Sequence, residues 1–208
     1  MTVSEQIVIR RAKIGDVPTA SRIINDYAEL GLMLHRPLAY LYEHLRDFHV
    51  AVVPLDDAPS NGRGHDEQVI GICGLNIVWA NLAEVYSLAV APAFQGMGLG
   101  RALVQACIDE AKELGIRRLM TLTYESTFFA RLGFGVVDRM SLPLKVWSEC
   151  VRCSKNEACD EIAMILDVPG VPELEAPPPY QPPADQYTVP ITLERAKITP
   201  RPKMDEAH

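Results

Sequence analysis

The stretch Gln95-Gly96-Met97-Gly98-Leu99-Gly100 joins an apolar strand-like run, Val85 to Val90, to a helix-like run, Leu99 to Leu114. Strand, glycine turn and helix in that order predict an α/β layer in which a helix N-terminus opens beside the end of a strand. Glycines at alternate positions remove side chains where backbone has to approach another group, and the first helical N–H groups lack intrahelical acceptors. Such a site suits a pyrophosphate. Taken alone, the glycine spacing is weak evidence, since a Gly-rich strand-to-helix turn can be purely structural. A dinucleotide fold would show Gly-x-Gly-x-x-Gly and an acidic residue about twenty positions on. A P-loop would end in Gly-Lys-Ser/Thr. Here Gly100 is followed by Arg101-Ala102, and neither pattern is met.

The rest of the chain reads as a mixed sheet flanked by helices. Ile7 to Ala12 is a first strand; Asp16 is the expected N-cap of a helix with Pro18 just inside it, apolar residues from Val17 to Leu30 on one face, and Gly31 at its end. A second helical segment, about Leu38 to Phe48, leads into a strand from His49 to Val53. Asp56 to Gln68 is loop by composition; Val69 to Trp79 and Glu84 to Val90 are apolar enough for the middle of a sheet. Leu119 to Thr123, a short helix from Ser126 to Leu132, Val136 to Asp138 and Glu161 to Leu166 complete the order. From Pro169 to His208 the pattern stops, and ten of the sixteen prolines fall there. The expected organisation is one domain over 1–168 and an extended or disordered Pro-rich tail over 169–208.

With 208 residues, 48% hydrophobic and 23% charged, the chain suffices for one sizeable core. A net charge of −7 without a basic cluster excludes nucleic acid and anionic membrane as standing partners. No apolar run approaches the roughly 20 residues of a membrane span, so a cytoplasmic protein is expected. Five cysteines, an odd number without secretory context, are expected to be reduced.

Gln95, Gly98 and Gly100 match the Gln/Arg-x-x-Gly-x-Gly/Ala signature of the GCN5-related N-acetyltransferases, and the chain resembles that family beyond it. Leu82 to Pro92 looks like the family's central strand with its Val-x-Pro turn, and Phe128-Phe129-Ala130-Arg131-Leu132-Gly133-Phe134 like its fourth helix and Gly-Phe. The resemblance implies the GNAT fold, acetyl-CoA as co-substrate, and acetyl transfer to an amine. It also implies that Gln95, Gly96, Met97, Gly98, Leu99, Gly100 and Arg101 grip the pyrophosphate, that the backbone of Leu88, Ala89 and Val90 contacts the pantetheine, and that Phe129 adjoins the cofactor.

Acetyl transfer needs a held donor, a deprotonated amine and a stabilised oxyanion. Glu84 is the best base in the chain, with Tyr86 and Leu88 expected on its face by the two-residue strand period. A Glu at a strand start that merely faces solvent is the alternative of equal weight. The family's thiolate-protonating tyrosine is replaced by Phe129, so the thiolate leaves unassisted, or Tyr124 or a water serves.

Gly31-Leu32-Met33-Leu34-His35-Arg36-Pro37 and Leu142-Pro143-Leu144-Lys145 resemble segments of the N-acetylglutamate synthase acetyltransferase domain, in the short single-domain form. That resemblance implies a small-molecule amino-acid acceptor, glutamate, in the first step of arginine biosynthesis. Arg36 and Lys145 would be its cationic anchors and Leu34 a backbone donor; an arginine holds a carboxylate through two parallel hydrogen bonds. Glutamine is a close competitor. Other small amines, a protein N-terminus, or a non-catalytic acyl-CoA sensor are the remaining readings. Cys150, Cys153 and Cys159 have spacing that could take zinc with a further ligand, but buried or redox-sensitive thiols are favoured, and no metal is expected. The oligomeric state is left open, a homodimer among the options.

Overall fold

The computed structural model describes residues 6–54, 67–142 and 160–173. The Pro-rich tail from 174 onward, Lys145, and Cys150, Cys153 and Cys159 lie outside the described residues. Among the described residues the strands are β1 (Val8–Arg11), β2 (Phe48–Pro54), β3 (Glu67–Trp79), β4 (Leu82–Val90), β5 (Arg118–Thr123), β6 (Gly135–Val136) and β7 (Ile162–Asp167). The helices are α1 (Val17–Glu29), α2 (Leu38–Glu43), α3 (Leu99–Glu113) and α4 (Ser126–Ala130). The seven strands form one sheet in the order β1-β2-β3-β4-β5-β7-β6. Every neighbouring pair is antiparallel except β4 and β5, which run parallel. This is the mixed, helix-flanked sheet that the chain order predicts.

The two faces of the sheet are covered by different helices because each helix is apolar on one side only. Leu99, Leu103, Val104, Cys107, Ile108 and Ala111 of α3 are buried against Ala51, Ile70, Leu75, Ala83 and Val85. On the other face Val17, Ala20, Ile23 and Ile24 of α1 and Leu41 of α2 pack on Phe48, Val50, Ile72, Tyr86 and Ala89. Within the first core Cys73 and Cys107 are free thiols, their sulfurs 3.6 Å apart. Beyond β7 the core continues: Val168 is buried, and Arg117 Nη1 lies 3.0 Å from Glu173 Oε2.

Two local expectations are corrected. Asp16 stands at the N-cap of α1 but makes no side-chain cap bond to that helix. Its carboxylate turns back instead, accepting from the Lys13 N–H at 2.6 Å and from Arg10 Nη1 and Nη2 at 2.7 and 3.1 Å. A guanidinium offers a stronger, bidentate partner than a helical N–H. The segment from Leu38 to Phe48 is not one helix: α2 stops at Glu43, a 3-10 turn follows at Leu45–Asp47, and Phe48 already pairs with Gly74 in the sheet. His44 bonds Asp47 through Nδ1 at 3.1 Å and stacks on Tyr40 at 4.2 Å, which tightens the turn there.

Gly74 of β3 leaves room for the ring of its β4 partner Tyr86. A Cβ at Gly74 would lie 2.4 Å from Tyr86 Cε1 and 2.9 Å from Phe48 Cε1. Gly74→Ala is expected to destabilise the protein by about 2 kcal/mol through overpacking, read as a lower urea midpoint. For Asp16, burial pushes the carboxyl up, but hydrogen bonds from Arg10 and the Lys13 N–H outweigh it and hold it below the usual carboxylate range. A depressed folded value means that the stabilisation is complete above the unfolded value near 4 and is lost as pH falls through the folded one. Asp16→Asn is expected to lose about 2 kcal/mol at pH 7; denaturant titrations of both proteins should converge as pH falls below 4.

Candidate functional site

The site begins where the parallel strands part. β4 and β5 pair at three positions only, Leu82 with Arg118, Ala83 with Leu119 and Glu84 with Met120. Past Glu84 the strands diverge, so the edge of β4 toward Val90 faces a cleft of about 800 Å³ instead of a neighbouring strand. Glu84 stands at the fork, half-buried and on the cleft wall, not out in solvent at a strand start.

A bulge shapes the same edge. The pairing of β3 with β4 moves from Gly74–Tyr86 to Ile72–Ala89, leaving one extra residue on β4, and Ser87 has φ +50°. The extra residue inverts side-chain parity. Ala83 and Val85 pack into the α3 core and Tyr86 into the α1 core; beyond Ser87, Leu88 and Val90 lie against the α3 core and Ala89 in the α1 core. Leu88 therefore does not share the face of Glu84 and Tyr86, as an unbroken two-residue period would require.

At the far end of β4 the chain passes through a 3-10 turn at Pro92–Phe94 and enters the glycine turn. Gly98, with φ +79°, is the N-cap of α3 and makes no side-chain cap; its left-handed backbone is the conformation that glycine adopts without strain. The helical ladder starts with the Ala102 N–H on the Gly98 carbonyl at 3.1 Å. The N–H groups of Leu99, Gly100 and Arg101 precede that ladder and line an end that attracts anions. At Gly100 a Cβ would meet Phe128 Cζ at 3.4 Å, an ordinary van der Waals contact, so the turn's need for glycine lies at Gly96 and Gly98, whose φ are positive.

Gln95 is tied to α1. Its Nε2 donates to the Tyr27 hydroxyl at 2.6 Å, and that hydroxyl donates to the Val90 carbonyl at 2.6 Å. The chain of two bonds holds the glycine turn, the end of β4 and α1 at fixed separation. Tyr27 reads in the sequence as one more apolar position of α1. The signal that sets it apart is chemical, since a phenol turned inward takes a partner for its hydroxyl.

The opposite wall comes from the segment between α1 and α2. Leu34 and Arg36 line the cleft. Arg36 Cζ lies 4.3 Å from the Tyr40 ring centroid and 5.5 Å from that of Tyr86. Tyr86 donates to Asp47 Oδ2 at 3.2 Å, and burial, with the Asp47 carboxylate beside it, pushes its phenol up, so it stays protonated.

The structure thus gathers Leu34, Arg36, Glu84, Leu88, Ala89, Val90, Gln95, Gly96, Gly98, Leu99, Gly100, Arg101, Tyr124 and Phe129 around one cleft. Met97 belongs to the same turn but is 40% exposed and does not line it. Phe129 is buried edge-on between Phe128 and Phe134 and brings no hydroxyl. Arg139 and Glu161 also line the cleft, although nothing in the sequence around them marks a site. Among the described residues no cluster of histidine, cysteine and carboxylate side chains could hold a metal, and no helix is long and apolar enough to cross a membrane. The arrangement can take an extended thioester along β4, its pyrophosphate at α3, and an anionic acceptor near Arg36.

The model of the acetyltransferase (GNAT) family matches residues 29–134. The chain is 38% identical over 157 residues to an uncharacterized N-acetyltransferase of Chlorobaculum tepidum, covering 76% of this chain and 94% of that protein. It is 34% identical over 145 residues to an amino-acid acetyltransferase of Mycobacterium tuberculosis, covering 70% and 78%. Among solved structures, N-acetylglutamate synthase from Neisseria gonorrhoeae complexed with coenzyme A and N-acetyl-glutamate superposes with a TM-score of 0.65 at 26% identity, over 78% of this chain and 35% of that one.

Tyr27→Phe removes the donor to Val90 and the acceptor for Gln95. Loss of about 1 kcal/mol of positioning is expected to raise the acetyl-CoA KM about fivefold and leave the acceptor KM unchanged, as steady-state kinetics with each substrate varied in turn would read.

Proposed function

Because this chain belongs to the acetyltransferase (GNAT) family, we propose that it transfers the acetyl group of acetyl-CoA to the α-amino group of a small acidic amino acid, with glutamate the acceptor that fits best. The observation that carries this reading is Arg36, set among Tyr40 and Tyr86 on the wall of the cleft that Glu84 also lines. A guanidinium so placed offers a carboxylate paired, charge-assisted hydrogen bonds. The identity of the chain to an amino-acid acetyltransferase supports the same reading.

Bound acetyl-CoA supplies an electrophilic thioester carbonyl. The N–H groups of Leu99, Gly100 and Arg101 and the charge of Arg101 hold its pyrophosphate, with Gly96 and Gly98 shaping the turn and Gln95 bracing it through Tyr27. The backbone of Leu88, Ala89 and Val90 holds the pantetheine along the open strand edge. Arg36 and the Leu34 N–H hold the acceptor's carboxylate, and Lys145 is the second cation proposed for a dicarboxylate. Glu84 takes a proton from the acceptor ammonium, which is mostly protonated at neutral pH. Tyr124 hands a proton to the departing thiolate in place of the phenol that Phe129 lacks. The thiol's own acidity lies near enough to neutral that this last aid is a modest one.

The test is acetyl-CoA-dependent thiol release with glutamate, glutamine, aspartate and arginine. Turnover with glutamate is expected; turnover with glutamine alone would remove the second carboxylate anchor, and silence across the panel would favour a protein substrate or an acyl-CoA sensor. Arg36→Ala is expected to raise the acceptor KM about a hundredfold, the effect of about 3 kcal/mol from a charged hydrogen-bonded pair, and to leave acetyl-CoA binding alone. Glu84→Gln is expected to lower kcat at pH 7 and to recover part of it as pH rises and the acceptor amine deprotonates by itself. An unaltered pH profile would remove Glu84 as the base.

A further inference from the structure

The segment from Gly31 to Pro37 carries no helix or strand, yet it presents Arg36 to the cleft. Its start is set by the end of α1, where the Gly31 N–H donates to Ala28 O at 2.9 Å and the Leu32 N–H to Tyr27 O at 3.1 Å. This is the paired bonding that closes a helix over a left-handed residue, and Gly31 has φ +71°. Its other end is held from one turn further back in α1. Asn25 Oδ1 accepts the Arg36 N–H at 2.9 Å, and Asn25 Nδ2 donates to the Arg36 carbonyl at 3.1 Å. The same Nδ2 donates to Ser21 Oγ at 3.1 Å, and Ser21 is buried. One carboxamide thus meets both main-chain groups of one residue, as a neighbouring strand would, and is itself fixed by α1. Pro37 adds a restraint, since the residue before a proline is kept out of the helical region.

From this geometry we infer that Asn25 is the positioning residue for acceptor binding: it fixes the backbone of Arg36 so that the guanidinium stands beside Tyr40 and Tyr86 before the acceptor arrives. The inference rests on the reading of Arg36 as the carboxylate anchor. Asn25 touches neither the acceptor nor the reacting atoms. Its effect is on the fraction of molecules whose Arg36 is already in place, and apparent affinity falls in proportion to that fraction. α1 then serves the two substrates through separate side chains, Asn25 toward the acceptor wall and Tyr27 toward the glycine turn.

The experiment is a double-mutant cycle on the full chain with Asn25→Ala, Arg36→Ala and the pair, measuring KM for glutamate, KM for acetyl-CoA and kcat. Asn25→Ala is expected to raise the glutamate KM about tenfold with the acetyl-CoA KM unchanged, and to add nothing in the Arg36→Ala background. Asn25→Ser, which keeps a hydroxyl near the Arg36 backbone, gives the same readout if the alanine variant folds poorly, with a smaller rise. A wild-type glutamate KM in Asn25→Ala, an equal rise in both KM values, or the full Asn25 effect on top of Arg36→Ala would overturn the inference while the anchor reading stands. An Arg36→Ala protein with unchanged glutamate KM would overturn both.

Discussion

The parting of β4 and β5 is the constraint on which the site depends. Two parallel strands that pair at three positions and then separate leave a row of backbone groups without a neighbouring strand. In a folded protein such groups are paired elsewhere or reserved for water or a ligand. The parting is held open from both sides. The bulge at Ser87 twists β4 just beyond the fork, and α3 packs its apolar face on the same strand while its N-terminus closes the far end. Glu84 is the last residue of β4 that β5 still pairs, and this geometry sets it at the fork.

The second determinant is the rigidity of α1. A helix that buries Val17, Ala20, Ile23 and Ile24 against the sheet cannot shift without exposing them. Its last turns can therefore bear positioning side chains for segments that have little regular structure of their own. Tyr27 ties down the glycine turn and Asn25 the segment that carries Arg36. Both walls of the cleft thus take their registration from one element, and each is addressed by hydrogen bonds whose geometry tolerates little displacement.

The legible part of the site was the part made of local backbone chemistry. A strand, a turn that needs left-handed residues and a helix N-terminus are written in consecutive positions, so the backbone course of Gln95 to Arg101 could be read without knowing what surrounds it. Arg36 was legible only through resemblance, because a single arginine in a loop has no periodicity to mark it. Where the reading failed, a neighbour distant in sequence had won a competition. Asp16 prefers the guanidinium of Arg10 to a helical N–H, and Leu88 changes face because β4 carries a residue that β3 does not match.

By itself the amino-acid sequence determined the order of elements, the apolar faces that sort the helices onto two sides of a sheet, and the glycine turn, all of which follow from interactions within a few residues. Only the tertiary structure decided that Glu84 stands at the fork, that Gln95 bonds Tyr27, and that Asn25 holds Arg36. The reason is physical. Each of these depends on strand divergence or on a hydrogen bond formed after packing has brought separate elements together, and neither has a local signature in the order of side chains.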